Sequence, residues 1–315
     1  MSITVVGEGI VGLRITRLLT EHDHRVVARG PRDSAIDPST WPVSHGDVVI
    51  LAIPGEHAAP AAQLAELGAS VVSVGDLLDD TNELLALDDL FRETDSTLVV
   101  GAAMSPGLSG LIARHLAEQL ACCDEIHVAV HGTAGPACAR QHHRALDGFA
   151  PGWHDGEWIE RRAGSGRELC WFPEPVGARD CYRAELTDPL LLHRSFPDAA
   201  RISARVSATR RDRLTSSLPM LRTPHPEGLE GALRVEVRGA DRDGGRQTSI
   251  AGIAERAGTA AAATAAVFAA EAVGGRLPPG VVLSGDAALD TVSLLAAVER
   301  HGVRLQEFTG VAQRT

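Results

Sequence analysis

The chain has 315 residues, 44% of them hydrophobic and 23% charged, with a formal net charge of -11, so it can bury a large core as one large domain or two ordinary ones. It contains no lysine, so all 30 residues counted as Lys+Arg are arginine, which excludes Schiff-base and PLP enzymes, Walker A nucleotide hydrolases, protein kinases and reductases that pair Tyr with Lys. An acidic balance without blocks of like charge leaves no electrostatic footprint for a phosphate backbone, and nucleic acid is not an expected partner.

The opening residues MSITVVGEGIVGL run straight into a strand pattern, without a basic segment followed by a long apolar one. Elsewhere the apolar stretches are of strand length or broken by polar residues, so a soluble cytoplasmic protein without a signal peptide or membrane span is expected. Strand patterns at Ile3 to Gly7, Arg25 to Arg29, Asp47 to Ile53, Ser70 to Val74, Thr97 to Gly101 and Glu125 to His131 alternate with helical patterns at Ile10 to Leu19, Ala58 to Leu67, Asn82 to Phe91 and Leu108 to Leu120. Apolar runs such as VVILAI and TLVVGA suit strands covered on both faces. The second crossover is replaced by a Pro-containing loop, PRDSAIDPSTWPVSHG. The pattern predicts a doubly wound parallel Rossmann sheet of six strands over residues 1–130.

From residue 131 the runs become longer and alternate with polar residues, as in RISARVSA and ALRVEVRG, and Asp243-Gly244-Gly245 reads as a hairpin turn. A mixed α+β substrate or dimerisation domain is expected over 131–254, its sheet having one face against helices and the other at a cleft or a partner copy. Residues 255–315 carry an Ala-rich helix to Val273, a Gly274-Gly275 stop, a Pro278-Pro279-Gly280 break and a further helix from Ala287 to Arg300. These C-terminal helices are expected to pack back on the first domain or to form a dimer contact. The five cysteines, Cys122, Cys123, Cys138, Cys170 and Cys181, form no CxxC pair and read as buried thiols, with no metal site.

The sharpest signal is Gly7-Glu8-Gly9-Ile10-Val11-Gly12, between a strand and an amphipathic helix. Gly7 permits the tight turn, Gly9 the approach of a pyrophosphate to the backbone, and Gly12 the close packing of helix on strand. A glycine turn without a ligand is the plainer alternative. At the end of the second strand RVVARGPRD places Arg29 and Arg32 where NAD sites usually have an acid. Two arginines there suit a 2′-phosphate, so NADP(H) is expected over NAD(H), unless both are solvated or Asp33 reaches back to the ribose.

From Leu51 onward the chain resembles the saccharopine dehydrogenase family, in particular its NADP-dependent reductase branch. The resemblance rests on AIPGEH at 52–57, GASVVSVGD at 68–76 and TLVVGAAMSPGLSGLIARHLA at 97–117, where Pro106-Gly107-Leu108 matches the family's turn after the fifth strand. FPEPVGARDCY, ALRVEVRGA and PPGV match more weakly. The resemblance implies hydride exchange between NADPH and a C=N group, often an imine between an amino acid and a keto acid, or a carbonyl or other unsaturated group. This chain is shorter than the long saccharopine reductases, which leaves its substrate open.

Loops at the carboxyl edge of the sheet make Ala52, Ile53, Pro54, Gly55, Met104, Ser105, Pro106 and Gly107 candidate neighbours of the nicotinamide and substrate, although Ser105 and Pro106 can equally be helix punctuation. The segment HGTAGPACARQHHRAL brings Arg140 and Arg144 as candidate carboxylate clamps and His142 and His143 as candidate proton shuttles. Arg179 and Tyr182, the single tyrosine, add a further clamp and a further donor. An ordinary solvated helix face or packing role is the alternative for each. The reading is an NADP-dependent oxidoreductase acting on a small amino-acid-derived substrate, with a homodimer considered. A dinucleotide-binding sensor or partner subunit without activity, and an enoyl or carbonyl reductase of secondary metabolism, are the alternatives.

Overall fold

The computed structural model describes residues 1–22, 24–30, 38, 41–220 and 223–308, with the backbone alone at Arg29. Strands β1 (Ile3–Val6), β2 (Val26–Arg29), β3 (Val48–Leu51), β4 (Ser70–Ser73) and β5 (Thr97–Val100) come first, with helices α1 (Ile10–Glu21), α2 (Ala58–Glu66), α3 (Leu78–Leu85), α4 (Asp88–Glu93) and α5 (Leu108–Ala117). Next are β6 (Cys122–His131), α6 (Pro136–Arg144), β7 (Phe149–His154), β8 (Glu157–Arg162), β9 (Glu168–Trp171), β10 (Ala178–Arg183), α7 (Asp188–Ser195), β11 (Arg201–Ser207) and α8 (Arg210–Leu214). The hairpin β12 (Ala232–Ala240) and β13 (Arg246–Ala254) precedes α9 (Ala257–Val273), β14 (Gly280–Leu283), α10 (Thr291–Arg300) and β15 (Gln306–Glu307).

The first sheet has the order β14-β5-β4-β3-β1-β2 and every pairing in it is parallel. Alternate strand residues explain why the runs are apolar throughout. Val5, Ile50, Val72 and Val99 pack with residues of α1, α5 and α9, whereas Val6, Val49, Leu51, Val71, Leu98 and Val100 pack with Leu64, Leu84 and Phe91 of α2 to α4. Connections leave β1 in opposite directions towards β2 and β3, which makes the carboxyl ends of β1 and β3 the topological switch point where ligands bind in such sheets.

The stretch Glu125 to His131 is not the sixth strand of this sheet: β6 lies in a nine-stranded mixed sheet, β15-β13-β12-β6-β11-β10-β9, with β7 on β11 and β8 on β7. The reason is legible in EIHVAVH, where Ile126, Val128 and Val130 are buried while Glu125, His127 and His131 are partly exposed. That alternation suits a sheet with one polar face and not a strand covered on both sides. The sixth parallel strand is β14, delivered from the C-terminal region by α9.

The stretch Asn82 to Phe91, expected as one helix, is two helices broken around Ala86 and Leu87. The break aims α4 so that the Asp88 carboxylate accepts from the backbone N–H of Val281 at 2.7 Å, pinning β14 to its neighbour helix. The α9 helix is buried on nearly every side, from Ala257 to Ala269 except Thr259, and lies against α1, β3, β4, α5 and α10. Methyl-sized side chains allow that close approach. A single apolar cluster runs from Val5 and Val72 through α5 and α9 to Val128 and Val235, joining the two sheets.

Candidate active site

The turn after β1 is set by glycine geometry. Gly7 has φ +141°, and a Cβ on it would stand 2.3 Å from the Ala52 carbonyl oxygen; only glycine lets the loops after β1 and β3 pass so closely. A Cβ on Gly12 would stand 2.0 Å from the Gly7 carbonyl oxygen, so α1 sits directly on the turn. Gly9 differs: a Cβ there would meet nothing within 4 Å. It borders open cleft at the N-terminus of α1, where no side chain caps the helix. Uncapped N–H groups beside free space form the cradle that a pyrophosphate requires, so the residues present fit a dinucleotide.

The other loops of the carboxyl edge complete one wall. Residues 52–55 are held by a buried network in which Asp80 Oδ1 accepts from the backbone N–H of His57 (2.8 Å) and Ala58 (2.9 Å). His57 Nε2–H donates to the Ile53 carbonyl at 3.0 Å, so its Nδ1 accepts from the Ser73 hydroxyl at 2.8 Å. Burial lowers the pKa of this imidazole, in keeping with its neutral role. Ser105 caps no helix; its hydroxyl donates to Asp188 Oδ2 at 2.7 Å, and Ser109 donates to Asp188 Oδ1 at 2.5 Å.

The opposite wall comes from the end of β6 and from α6 and α9. Helical spacing divides α6 into two faces. Cys138, Gln141 and His142 line the cleft, while Arg140, His143 and Arg144 line a separate hollow with Ser216 to Met220. The cleft is lined by Gly7, Glu8, Gly9, Ile10, Val11, Ala52, Ile53, Pro54, Gly55, Met104, Ser105 and His142 among the residues singled out from sequence.

The remaining candidates lie elsewhere. His143 Nε2–H donates to the carbonyls of Thr215 (2.8 Å) and Leu218 (3.2 Å), tying down the chain after α8. Tyr182 is buried with the Arg213 guanidinium 4.0 Å above its ring. Arg179 is exposed and donates to the Ala178 carbonyl at 2.9 Å. Pro106 and Gly107 line a small hollow beside Asp188 and Ser284, behind Ser105. Arg32 and Asp33 lie outside the described residues, and Arg29 closes β2. A Cβ on the next residue, Gly30, would stand 2.3 Å from Glu8 Oε1, which places a carboxylate at the edge of β2.

Sequence reasoning passed over three of the groups that matter most. Asp76 and Gln141 line the cleft beside His142, and Asp188 stands behind Ser105. Burial raises the pKa of Asp76, opposed by His142 and Gln141; burial likewise raises that of Asp188, opposed by its two serine donors. Burial lowers the pKa of His142, opposed by both aspartates, and its Nδ1 is buried without a hydrogen-bond partner. Burial also pushes the Cys138 thiol up to about 12, which leaves it a thiol rather than a nucleophile. Asp76 had a signal, as the acid closing VVSVGD at the carboxyl edge; Asp188, 83 residues from Ser105, had none. Among the described residues no arginine lines the cleft.

No known family's sequence profile and no curated protein sequence matches this chain. Among solved structures, it is similar to the apo saccharopine dehydrogenase (L-Glu forming) of Saccharomyces cerevisiae, with 13% identity over 98% of this chain and 100% of that one and a TM-score of 0.61. It is also aligned with the amine dehydrogenase of Mycobacterium smegmatis, at 12% identity over 90% and 95% of the two chains with a TM-score of 0.48. At such identity the first likeness is one of fold: a Rossmann sheet joined to a second, mixed-sheet domain, with C-terminal helices packed back on the first.

Proposed function

We propose that the protein is an NADP(H)-dependent oxidoreductase that reduces a C=N or C=O group of a small molecule. The observation that carries this reading is the meeting of Asp76, Ser105, Gln141 and His142 in the cleft that also holds the glycine turn. A bound dinucleotide supplies a hydride to the acceptor carbon, and the acceptor nitrogen or oxygen then needs a proton. Asp76, whose pKa burial raises, holds that proton at the cleft wall beside His142, whose pKa burial lowers. Asp188 takes the hydroxyl hydrogen bond of Ser105, leaving the serine oxygen to accept from an N–H or O–H of the substrate. Apolar groups such as Ile10, Ile53, Met104 and Ala261 exclude water around them.

Kinship with the saccharopine-reductase type is part of this proposal, but the substrate it brings is not supported evenly. A carboxylate entering the cleft meets Glu8 and Asp76 and no guanidinium among the described lining residues. That favours an uncharged ketone or imine over a carboxylate-clamped amino acid, and it supports carbonyl reduction as the second reading. NADP(H) rests on Arg29 and Arg32.

Oxidation of NADPH and of NADH, followed by nicotinamide absorbance, tests this with neutral ketones, preformed cyclic imines, and pairs of amino and keto acids. Turnover is expected with the first two classes, and Asp76→Asn or His142→Gln should lower kcat about 100-fold with dinucleotide affinity retained. Faster turnover of the keto-acid pairs would overturn the charge argument. Dinucleotide binding with no turnover in any class would favour the non-catalytic reading.

A further inference from the structure

The outer face of the second sheet carries a feature that the cleft does not use. Strand β11 alternates so that Ile202, Ala204 and Val206 are buried against the helices while Arg201, Ser203 and Arg205 face outward. The β7–β8 hairpin pairs with β11 only at Arg201↔His154 and Ile202↔Trp153, and β8 pairs only with β7. The hairpin thereby walls a groove of about 410 Å³ whose lining includes Arg161, Arg183, Arg201, Arg205 and Arg238 but a single glutamate, Glu168. It shares no lining residue with the cleft.

These arginines are only partly compensated. Arg205 pairs with Glu168 at 2.8 Å and Arg238 with Glu236 and Glu125, whereas Arg161, Arg183 and Arg201 have no carboxylate within ion-pair distance among the described residues. Arg201 donates to Nε2 of His154, whose Nδ1 lies 2.9 Å from Asp155 Oδ2, and Arg183 reaches only the Ser165 hydroxyl at 3.4 Å. Arg183 and Arg205 also stand directly opposite each other in the antiparallel register. Like charges in that arrangement destabilise a sheet. Burial, and then the neighbouring Arg205 and Arg161, lower the pKa of Arg183. A chain with formal charge -11 has thus gathered five guanidinium groups, only partly compensated by Glu168, Glu125 and Glu236, in one concave place.

We propose that this groove is a binding site for a small multiply charged anion, one carrying two or more phosphate or carboxylate groups. Planar guanidinium forks suit such oxygens bidentately, and the groove falls within the ~300–1,000 Å³ common for small-molecule sites. A second copy of the chain fits less well, since a two-fold contact through this face would set one arginine cluster against another.

Calorimetric titration of the full chain with pyrophosphate and with citrate tests the assignment. Saturable binding is expected for at least one, weakened at least tenfold in Arg183→Gln and in Arg201→Gln but not in Arg210→Gln, with thermal midpoints and dinucleotide affinity unchanged. No saturable binding, or equal binding by the variants, in titrations run with saturating NADPH filling the glycine-turn cradle would overturn it. Sedimentation showing self-association abolished by the same substitutions, without anion binding, would assign the face to a second copy instead.

Discussion

At the scale of single residues, the glycine turn separates a structural role from a binding role. Gly9→Ala places a methyl in open space, so the fold should be unaffected, with a thermal midpoint within experimental error of the parent. The same methyl occupies the phosphate cradle and should weaken dinucleotide binding at least tenfold. Gly12→Ala must push α1 off the turn, and overpacking of that kind costs about 1–3 kcal/mol, so both denaturant midpoint and binding should fall. If Gly9→Ala binds normally, the turn is punctuation and not a cradle. Glu8 invites a different measurement. Its carboxylate lies at Gly30, on the edge of β2 where an adenosine phosphate would come, so Glu8→Gln should tighten NADPH by about 2- to 5-fold and change NADH little. Equal effects on both would remove the 2′-phosphate from that edge.

At the scale of elements, α6 and α9 decide what the cleft can do. The spacing of α6 that presents Gln141 and His142 to the cleft necessarily turns Arg140, His143 and Arg144 away from it. α9 has the complementary task. Its alanines bring it close to α1 and to the first sheet, and Ala257 and Ala261 form part of the cleft wall. Ala262 is fully buried, so Ala262→Leu should destabilise by about 1–3 kcal/mol in urea unfolding. A neutral outcome would mean that α9 has room and does not set the spacing of the two sheets.

At the scale of the whole molecule, the titration of His142 in the cleft and of Asp188 behind it is coupled to folding. His142 is held neutral by burial, so the unfolded chain binds the extra proton as pH falls below the ordinary histidine value of 6.5. Stability conferred by that neutral histidine is lost as pH falls from there towards its lower folded value. Asp188 has the opposite sign. Its folded pKa is raised above 3.8, so its burial opposes folding increasingly as pH rises through that window. His142→Gln should therefore flatten the decline of the unfolding free energy below pH 6.5, and Asp188→Asn should flatten the loss on the rising side. Parallel curves for parent and variants in urea titrations would show that neither group is buried in its assigned state.

Local patterns in the chain were enough for the first five parallel strands, the glycine turn, the β12–β13 hairpin and the alanine helix, because each depends on periodicity or on the steric needs of residues close in sequence. The polar alternation of EIHVAVH was also there to be read and would have placed β6 in the other sheet. What only the tertiary structure decided is which distant groups share a space. Asp188 meets Ser105 across 83 residues, and Arg183 faces Arg205 only through strand register. Burial then changes the chemistry of those groups: desolvation raises an aspartic acid and lowers a histidine by amounts that no residue type carries in itself. The absence of lysine limited every fixed positive charge to arginine, but folding decided that Arg161, Arg183, Arg201, Arg205 and Arg238 gather on the outer sheet face while no described arginine lines the cleft.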